Sequence, residues 1–194
     1  MTIEERTRQF TTFLDHARVI PAVRAPESVP AALASPSVVV YFLRGTLESI
    51  PVMTELVLKR NKIPIVNLDL AQGLARDAVA VGYLASRGVR GIISVHDEPL
   101  RAARSLGLFA IKRSFLIDSG ALKSTAHSLR QFLPDALEIL PAAVGPLILP
   151  TLAEAHYEIP VICGGLVSSM KQVEELVGQG VHAVSVSDEA FWTV

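Results

Sequence analysis

A closed (β/α)8 barrel is predicted by three features of the sequence. Eight short strand-like runs alternate with eight helical segments, the last of them brief. The alternation is strict, and no linker, low-complexity segment or charge block interrupts it. No G-x-G-x-x-G follows the first strand, so the fingerprint of a dinucleotide-binding open sheet is missing. A doubly wound open sheet also alternates strands with helices and is the competing architecture. The 194 residues are most simply one domain, spanning 1–194. That length sits just below the roughly 200-residue lower bound for such barrels, so its loops must be short.

The elements follow in order. A polar helix covers about residues 4–16. Val19 to Val23 (V-I-P-A-V) is the first strand, and Pro26 opens a short helix running to Ala34. Val38 to Leu43 is an unbroken β-branched and aromatic run, the clearest strand in the chain. Gly45 turns it into a helix with apolar positions at Ile50, Met53, Leu56 and Val57. Ile63 to Asp69 is the third strand, followed by a helix from about Leu74 to Arg87. Gly91 to Val95 is the fourth, and Pro99 stands early in the next helix, where its missing N–H is harmless. Phe109 to Ser114 is the fifth. Asp118-Ser119 starts a longer helix through Phe132, and Ala136 to Leu140 is the sixth strand. A helix from about Gly145 to Tyr157 leads to Pro160–Cys163, an apolar run that stops at Gly164-Gly165. Ser168-Ser169 offers an N-cap for a helix over Met170 to Gly178. Ala183 to Ser187 is the eighth strand, and Asp188 can cap a last turn carrying Phe191 and Trp192.

Composition narrows the function. Half of the residues are apolar, 19% are charged and the net charge is −1, so no overall field attracts a polyanion. A nucleic-acid partner would need a local basic patch. The lone cysteine, Cys163, excludes an internal disulfide, in keeping with a reducing compartment. The polar N-terminus lacks the apolar core of a signal peptide, and no apolar run reaches spanning length, so a cytoplasmic protein without membrane contact is expected. A homo-oligomer is left open.

In a barrel, chemistry lies at the C-terminal strand ends. Read in order, those ends are Arg24, Arg44, Asn67 with Asp69, His96, Lys112 with Arg113, Glu138, Gly164-Gly165, and Ser185 with Ser187. Gly164, Gly165, Ser185 and Ser187 belong to two consecutive strands that feed helix N-termini, an arrangement that holds a phosphate through free amides and the positive helix end. The blander alternative for the glycine pair is a tight turn. Asp69, Asn67, His96, Arg113 and Glu138 are the candidate polar contacts of a ligand. Asp69 and Asp118 could equally cap helices, and Ser185 could bond backbone. Arg113 should point into the mouth and needs an anionic partner, with Glu138 the internal candidate for an ion pair. No complete catalytic set emerges. Cys163 reads as inert core, and pairing it with His96 rests on no informative spacing. Asp69 and Glu138 could do acid–base work; Lys112 is the only candidate for a Schiff base, and alternation forbids it and Arg113 from both facing inward. His16, His96, His127, His156 and His182 are scattered without metal-ligand spacing, and no metal or cofactor is expected.

From about Val19 to Trp192 the chain resembles the glycerol-3-phosphate responsive antiterminator family. The resemblance is carried by V-I-P-A-V-R, N-L-D-L-A-Q-G-L, G-I-I-S-V-H, S-L-G-L-F-A-I-K-R-S-F-L-I-D-S-G-A-L, L-P-D-A-L-E-I-L-P, P-V-I-C-G-G-L-V and A-V-S-V-S-D-E-A-F-W. The block from Ser105 to Leu122 is the most specific; the Gly-Gly segment is shared by many phosphate-binding barrels. The resemblance implies a (β/α)8 fold, glycerol 3-phosphate or a similar small phosphate as effector, and binding of leader mRNA of a glycerol-uptake operon, without catalysis. Gly164, Gly165, Ser185, Ser187, Asp69, Arg113, Asp118 and Glu138 fit the family pattern. Asn67 stands where the family has histidine, His96 where it has lysine, Lys112 where it has glutamine and Ala142 where it has glycine. The phosphate end thus matches, while the polyol end departs.

Two other functions compete: a barrel lyase or isomerase acting on a phosphorylated small molecule, and a relative that binds a metabolite but no RNA. For an RNA contact the best basic cluster is Arg101, Arg104, Lys123 and Arg130, with Arg101 and Arg104 on one helix face by their spacing. An ordinary solvated face is the alternative reading of the same residues. No aromatic stacking module of the RNA-binding folds is present.

Overall fold

The computed structural model of the chain describes residues 1–193. Eight parallel strands form a closed barrel: β1 (Val19–Val23), β2 (Val39–Phe42), β3 (Ile63–Asn67), β4 (Gly91–Ser94), β5 (Phe109–Phe115), β6 (Ala136–Leu140), β7 (Val161–Gly164) and β8 (Ala183–Val186). Each strand pairs with its neighbours in sequence, and β8 returns to β1 with Val19 opposite Val184 and Ile20 opposite Ser185. Closure leaves the barrel sheet no edge, which removes the open-sheet alternative.

The helices are α1 (Ile3–Leu14), α2 (Val29–Ala34), α3 (Ser49–Leu58), α4 (Ala78–Ser86), α5 (Asp97–Ser105), α6 (Ser119–Gln131), α7 (Leu149–Glu154) and α8 (Met170–Gly178). The expected caps are present: the Asp118 carboxylate accepts from the Ala121 amide and the Ser169 hydroxyl from that of Gln172. Some boundaries differ from the sequence-based expectation. β3 stops at Asn67 because Leu68–Leu70 makes a 3-10 turn, and α4 starts only at Ala78, where the Asp77 carboxylate caps the Ala80 amide. The residues between hold a two-residue strand, Ala71–Gln72, paired with Gly45–Thr46 beyond the ends of β2 and β3. The helix expected from Gly145 is a 3-10 segment, Ala142–Ile148, followed by the short α7. Pro146 and Pro150 lie in that stretch without an N–H to donate, so one regular helix cannot run through it.

Period-two alternation sorts the strand residues into two layers. Ile20, Ala22, Val39, Tyr41, Ile65, Ile93, Ile111, Ala136, Ile162 and Ala183 fill the barrel lumen. Val40, Phe42, Val66, Ile92, Ala110, Leu137, Ile139, Val161, Cys163 and Val184 pack outward beneath the helices. Helix α1 closes the N-terminal end of the lumen. Its Phe10 and Phe13 rings lie 5.1 and 5.8 Å from the Phe109 ring, and Phe10 and Leu14 join the lumen cluster. Arg6 fastens this plug, donating to Asp135 from Nε at 2.9 Å and Nη2 at 2.8 Å, and to the Leu108 carbonyl. A helix that reads as polar in sequence therefore seals one end of the barrel and leaves the other, the C-terminal mouth, for function.

Candidate ligand site at the barrel mouth

The alternation that fills the lumen continues into its mouth. Beyond Ile65, Ile111, Ala136, Ile162 and Ala183, the next inward positions are Asn67, Arg113, Glu138, Gly164 and Ser185. β5 and β6 set Arg113 directly opposite Glu138, and the Arg113 Nε donates to Glu138 Oε2 at 2.7 Å. The other carboxylate oxygen accepts from Ser185 Oγ at 2.8 Å. Both charged side chains are buried, Glu138 completely. Burial alone would lower the Arg113 pKa, but the adjacent Glu138 charge and hydrogen bond outweigh it and hold the guanidinium more firmly protonated than usual. The ion pair anticipated for these two residues is formed. Gly164 is what makes room for it: a Cβ there would lie 2.4 Å from Ser185 Oγ and 3.5 Å from Glu138 Oε1.

Asn67 and Asp69 brace the rim. Asn67 Oδ1 accepts from the Asp69 amide at 3.3 Å, and its Nδ2 reaches the Leu43 carbonyl only at 3.5 Å. Asp69 accepts from Ser94 Oγ at 2.7 Å and from the Val95 amide at 2.8 Å, tying the end of β3 to that of β4. Arg76 adds a hydrogen bond to the Asp69 carbonyl at 2.9 Å. His96 is brought near this brace by its amide, which donates to Ser94 Oγ at 3.0 Å, while the residue itself is exposed. Lys112 turns outward as alternation requires, its Nζ donating to the Val95 carbonyl at 2.8 Å and to Asp97 at 2.7 Å. Arg24 and Arg44 are exposed just past β1 and β2.

At the ends of β7 and β8 the backbone turns sharply and leaves amides undonated. Gly165 and Leu166 have φ of +78° and +60°, and the Gly165 carbonyl accepts from the Ala142 amide, which fixes the turn. Among the described residues, none of the Leu166, Val167, Ser187 and Asp188 amides donates to another group of the chain. The N-terminus of α8, capped by Ser169, follows directly.

One feature of the lumen beneath the mouth carries no signal in the sequence. Tyr41, in an apolar run, has a fully buried side chain whose hydroxyl finds no partner among the described residues. Burial raises its pKa well above the ordinary value, Glu138 raises it further and Arg113 opposes this, so the phenol stands within electrostatic reach of the pair. Cys163 faces outward into the helix layer, and burial, with the Glu138 charge second, pushes its thiol up to about 12. A thiol protonated at neutral pH is a poor nucleophile, and exposed His96 stands past the end of β4, at the start of α5, so the cysteine–histidine alternative has no geometric support.

The four basic candidates divide. Arg101 Nη2 donates to the Gln131 carbonyl at 2.8 Å, Arg104 donates to the Leu133 carbonyl, and their guanidinium groups lie 5.0 and 4.3 Å from the Phe132 ring centre. Lys123 and Arg130 are exposed on α6, and Arg130 lines a groove of about 220 Å³ toward α7 with Thr151, Leu152 and Tyr157. A cleft of about 850 Å³ lies elsewhere, between α1 and α7 near Thr7, Leu152, Tyr157 and His182 at the plugged end. Convergent polar groups, rather than volume, mark the mouth as the candidate site. Among the described residues no group of His, Cys, Asp or Glu could hold a metal ion, and no helix is long and apolar enough to cross a membrane.

Residues 19–192 match the sequence profile of the glycerol-3-phosphate responsive antiterminators. An uncharacterised Escherichia coli protein, YgcP, is 30% identical over 177 residues, covering 91% of this chain and 92% of that protein. Two crystal structures share the fold closely. A glycerol uptake operon antiterminator regulatory protein from Listeria monocytogenes has a TM-score of 0.82 at 26% identity, over 90% of this chain and 94% of the other. A glycerol uptake operon antiterminator-related protein from Thermotoga maritima has a TM-score of 0.79 at 25% identity, over 90% and 96%. Aldolases are also similar, at 10–17% identity, a level that speaks to the barrel fold alone. With the profile spanning nearly the whole chain, this protein belongs to the glycerol-3-phosphate responsive antiterminator family.

Proposed function

We propose that the protein is a cytoplasmic sensor of a small phosphorylated metabolite, glycerol 3-phosphate or a close relative, that binds leader mRNA of a glycerol-uptake operon and prevents termination of its transcription. The family match over residues 19–192 carries this reading. The mouth supports the ligand half of it. The phosphate sits against the Leu166, Val167, Ser187 and Asp188 amides, drawn by the N-terminus of α8, with Gly164, Gly165, Ser185 and Ser187 shaping the cradle. The hydroxyl-bearing end reaches Arg113, Glu138 and Asn67, while Asp69 and His96 frame the opening. Binding rather than catalysis is favoured by how the reactive groups are occupied: the Lys112 amine is engaged outside the lumen and the Cys163 thiol is protonated. The RNA half rests on the family and on exposed Arg101, Lys123 and Arg130, with Arg104 beside them.

Melting curves in the presence of candidate phosphates test the ligand half. At ~100 times its dissociation constant a specific ligand adds ~2.7 kcal/mol to stability. Glycerol 3-phosphate should raise the midpoint clearly more than inorganic phosphate at equal concentration. If no phosphorylated three-carbon compound shifts it more than sulfate does, the sensor reading fails.

A further inference from the structure

We propose that Tyr41 is a specificity-determining residue of the ligand site, its hydroxyl donating to a neutral hydroxyl oxygen at the end of the ligand remote from the phosphate. The inference rests on the sensor reading above and concerns the lumen rather than the phosphate cradle. An O–H group that is buried and unpartnered is costly, because it has left water without gaining a hydrogen bond. Tyr41 is in that condition, inside the lumen layer, with no exposed surface. The nearest charged groups whose field it feels, Glu138 and Arg113, indicate which partner suits it. Arg113 uses only Nε on Glu138, and its terminal nitrogens donate to no other described residue. Each Glu138 oxygen already accepts one hydrogen bond and has lone-pair capacity for a second. The unused groups are therefore donors on Tyr41 and Arg113 and an acceptor on Glu138. An alcohol fits that set, since its oxygen accepts from Tyr41 or Arg113 while its proton goes to Glu138.

Charge excludes the obvious competitor. Arg113 and Glu138 together carry no net charge, so a ligand carboxylate here would be buried beside Glu138 without a cation of its own. A phosphorylated alcohol should thus be preferred over the phosphorylated acid of the same length, and the Tyr41 hydroxyl should be part of the preference. Phenylalanine at the same position would fill the same space and keep the lumen packed.

The test compares the wild type with Tyr41→Phe in calorimetric titrations against inorganic phosphate, glycerol 3-phosphate and 3-phosphoglycerate, with the melting temperature of each free protein alongside. The wild type should bind glycerol 3-phosphate more tightly than 3-phosphoglycerate. Tyr41→Phe should lose about 3- to 10-fold in affinity for glycerol 3-phosphate, the worth of one uncharged hydrogen bond. Its affinity for inorganic phosphate should stay unchanged, and the free variant should melt at or above the wild type. If glycerol 3-phosphate binds both proteins equally, the sensor reading stands and the role of Tyr41 falls. A free variant that melts well below the wild type would give the hydroxyl a structural partner and also overturn the proposal. If the wild type binds none of the three, both the sensor reading and this inference are wrong.

Discussion

Removing the Arg113 guanidinium would leave the fully buried Glu138 carboxylate with only the Ser185 hydroxyl beside it. An uncompensated buried charge costs about 3–5 kcal/mol, so Arg113→Ala should be strongly destabilised before any ligand is considered. Ligand binding and folding then fall together in the single variant, and a second substitution is needed to separate them. Arg113→Ala with Glu138→Gln removes both charges and keeps an acceptor for Ser185. The double variant should regain a large part of the lost stability in denaturant titration while binding glycerol 3-phosphate about 10-fold or more weakly than the wild type. Full recovery of affinity along with stability would make the pair a purely structural fastening. Alternation alone brings these two residues to one face, which is why the pair could be read from the strand runs A-I-K-R-S and A-L-E-I-L. Tyr41 could not, because nothing in Val38 to Leu43 distinguishes a phenol that lacks a partner from one that has it.

Among the elements, the barrel strands were legible because each is a short apolar run bounded by glycine, proline or a capping residue. Helix α1 is legible as a polar helix but its role is not: Phe10, Phe13 and Leu14 are few among polar neighbours, and only the open end of the lumen shows what they are for. The paired segments Gly45–Thr46 and Ala71–Gln72 were missed because two residues cannot display a period. The start of β8 makes a pH-dependent joint of another kind. His182 Nδ1 accepts from the Val161 amide at 3.2 Å, bridging the N-terminal ends of β7 and β8. Partial burial lowers the pKa of this imidazole below its ordinary 6.5, with Asp15 opposing the shift. The unfolded chain therefore takes up the proton first as pH falls, and stability that is intact above 6.5 declines below it until the folded protein is protonated as well. Wild-type melting temperature should drop between pH 7 and 5, and His182→Gln should drop less. Equal slopes for the two proteins would assign the acid sensitivity to other groups.

For the whole molecule, a net charge of −1 constrains how the proposed leader RNA would be held. A nearly neutral barrel draws no polyanion from a distance, so the proposed contact would rest on a few local cations. Arg104 is partly spent on Phe132 and the Leu133 carbonyl, and its substitution would disturb the α6–β6 connection. Lys123 and Arg130 are exposed and can be changed at little cost to folding, whereas exposed Arg101 also gives up its hydrogen bond to the Gln131 carbonyl and its place over the Phe132 ring. Four contacts to a single strand would give log K a slope of about −3 against log salt concentration, at roughly −0.7 for each. Arg101→Gln, Lys123→Gln and Arg130→Gln together should flatten that slope by about 2 units. Glycerol 3-phosphate affinity should be untouched, because these residues stand on the outer helices and not at the mouth. Filter-binding titrations of leader RNA over a range of salt, with saturating glycerol 3-phosphate, measure both quantities. An unchanged slope would move the RNA to another face of the barrel. No binding at low salt would leave a metabolite-binding member of the family that acts without RNA, with the substitutions at Asn67 and His96 as the place to look for what it senses instead.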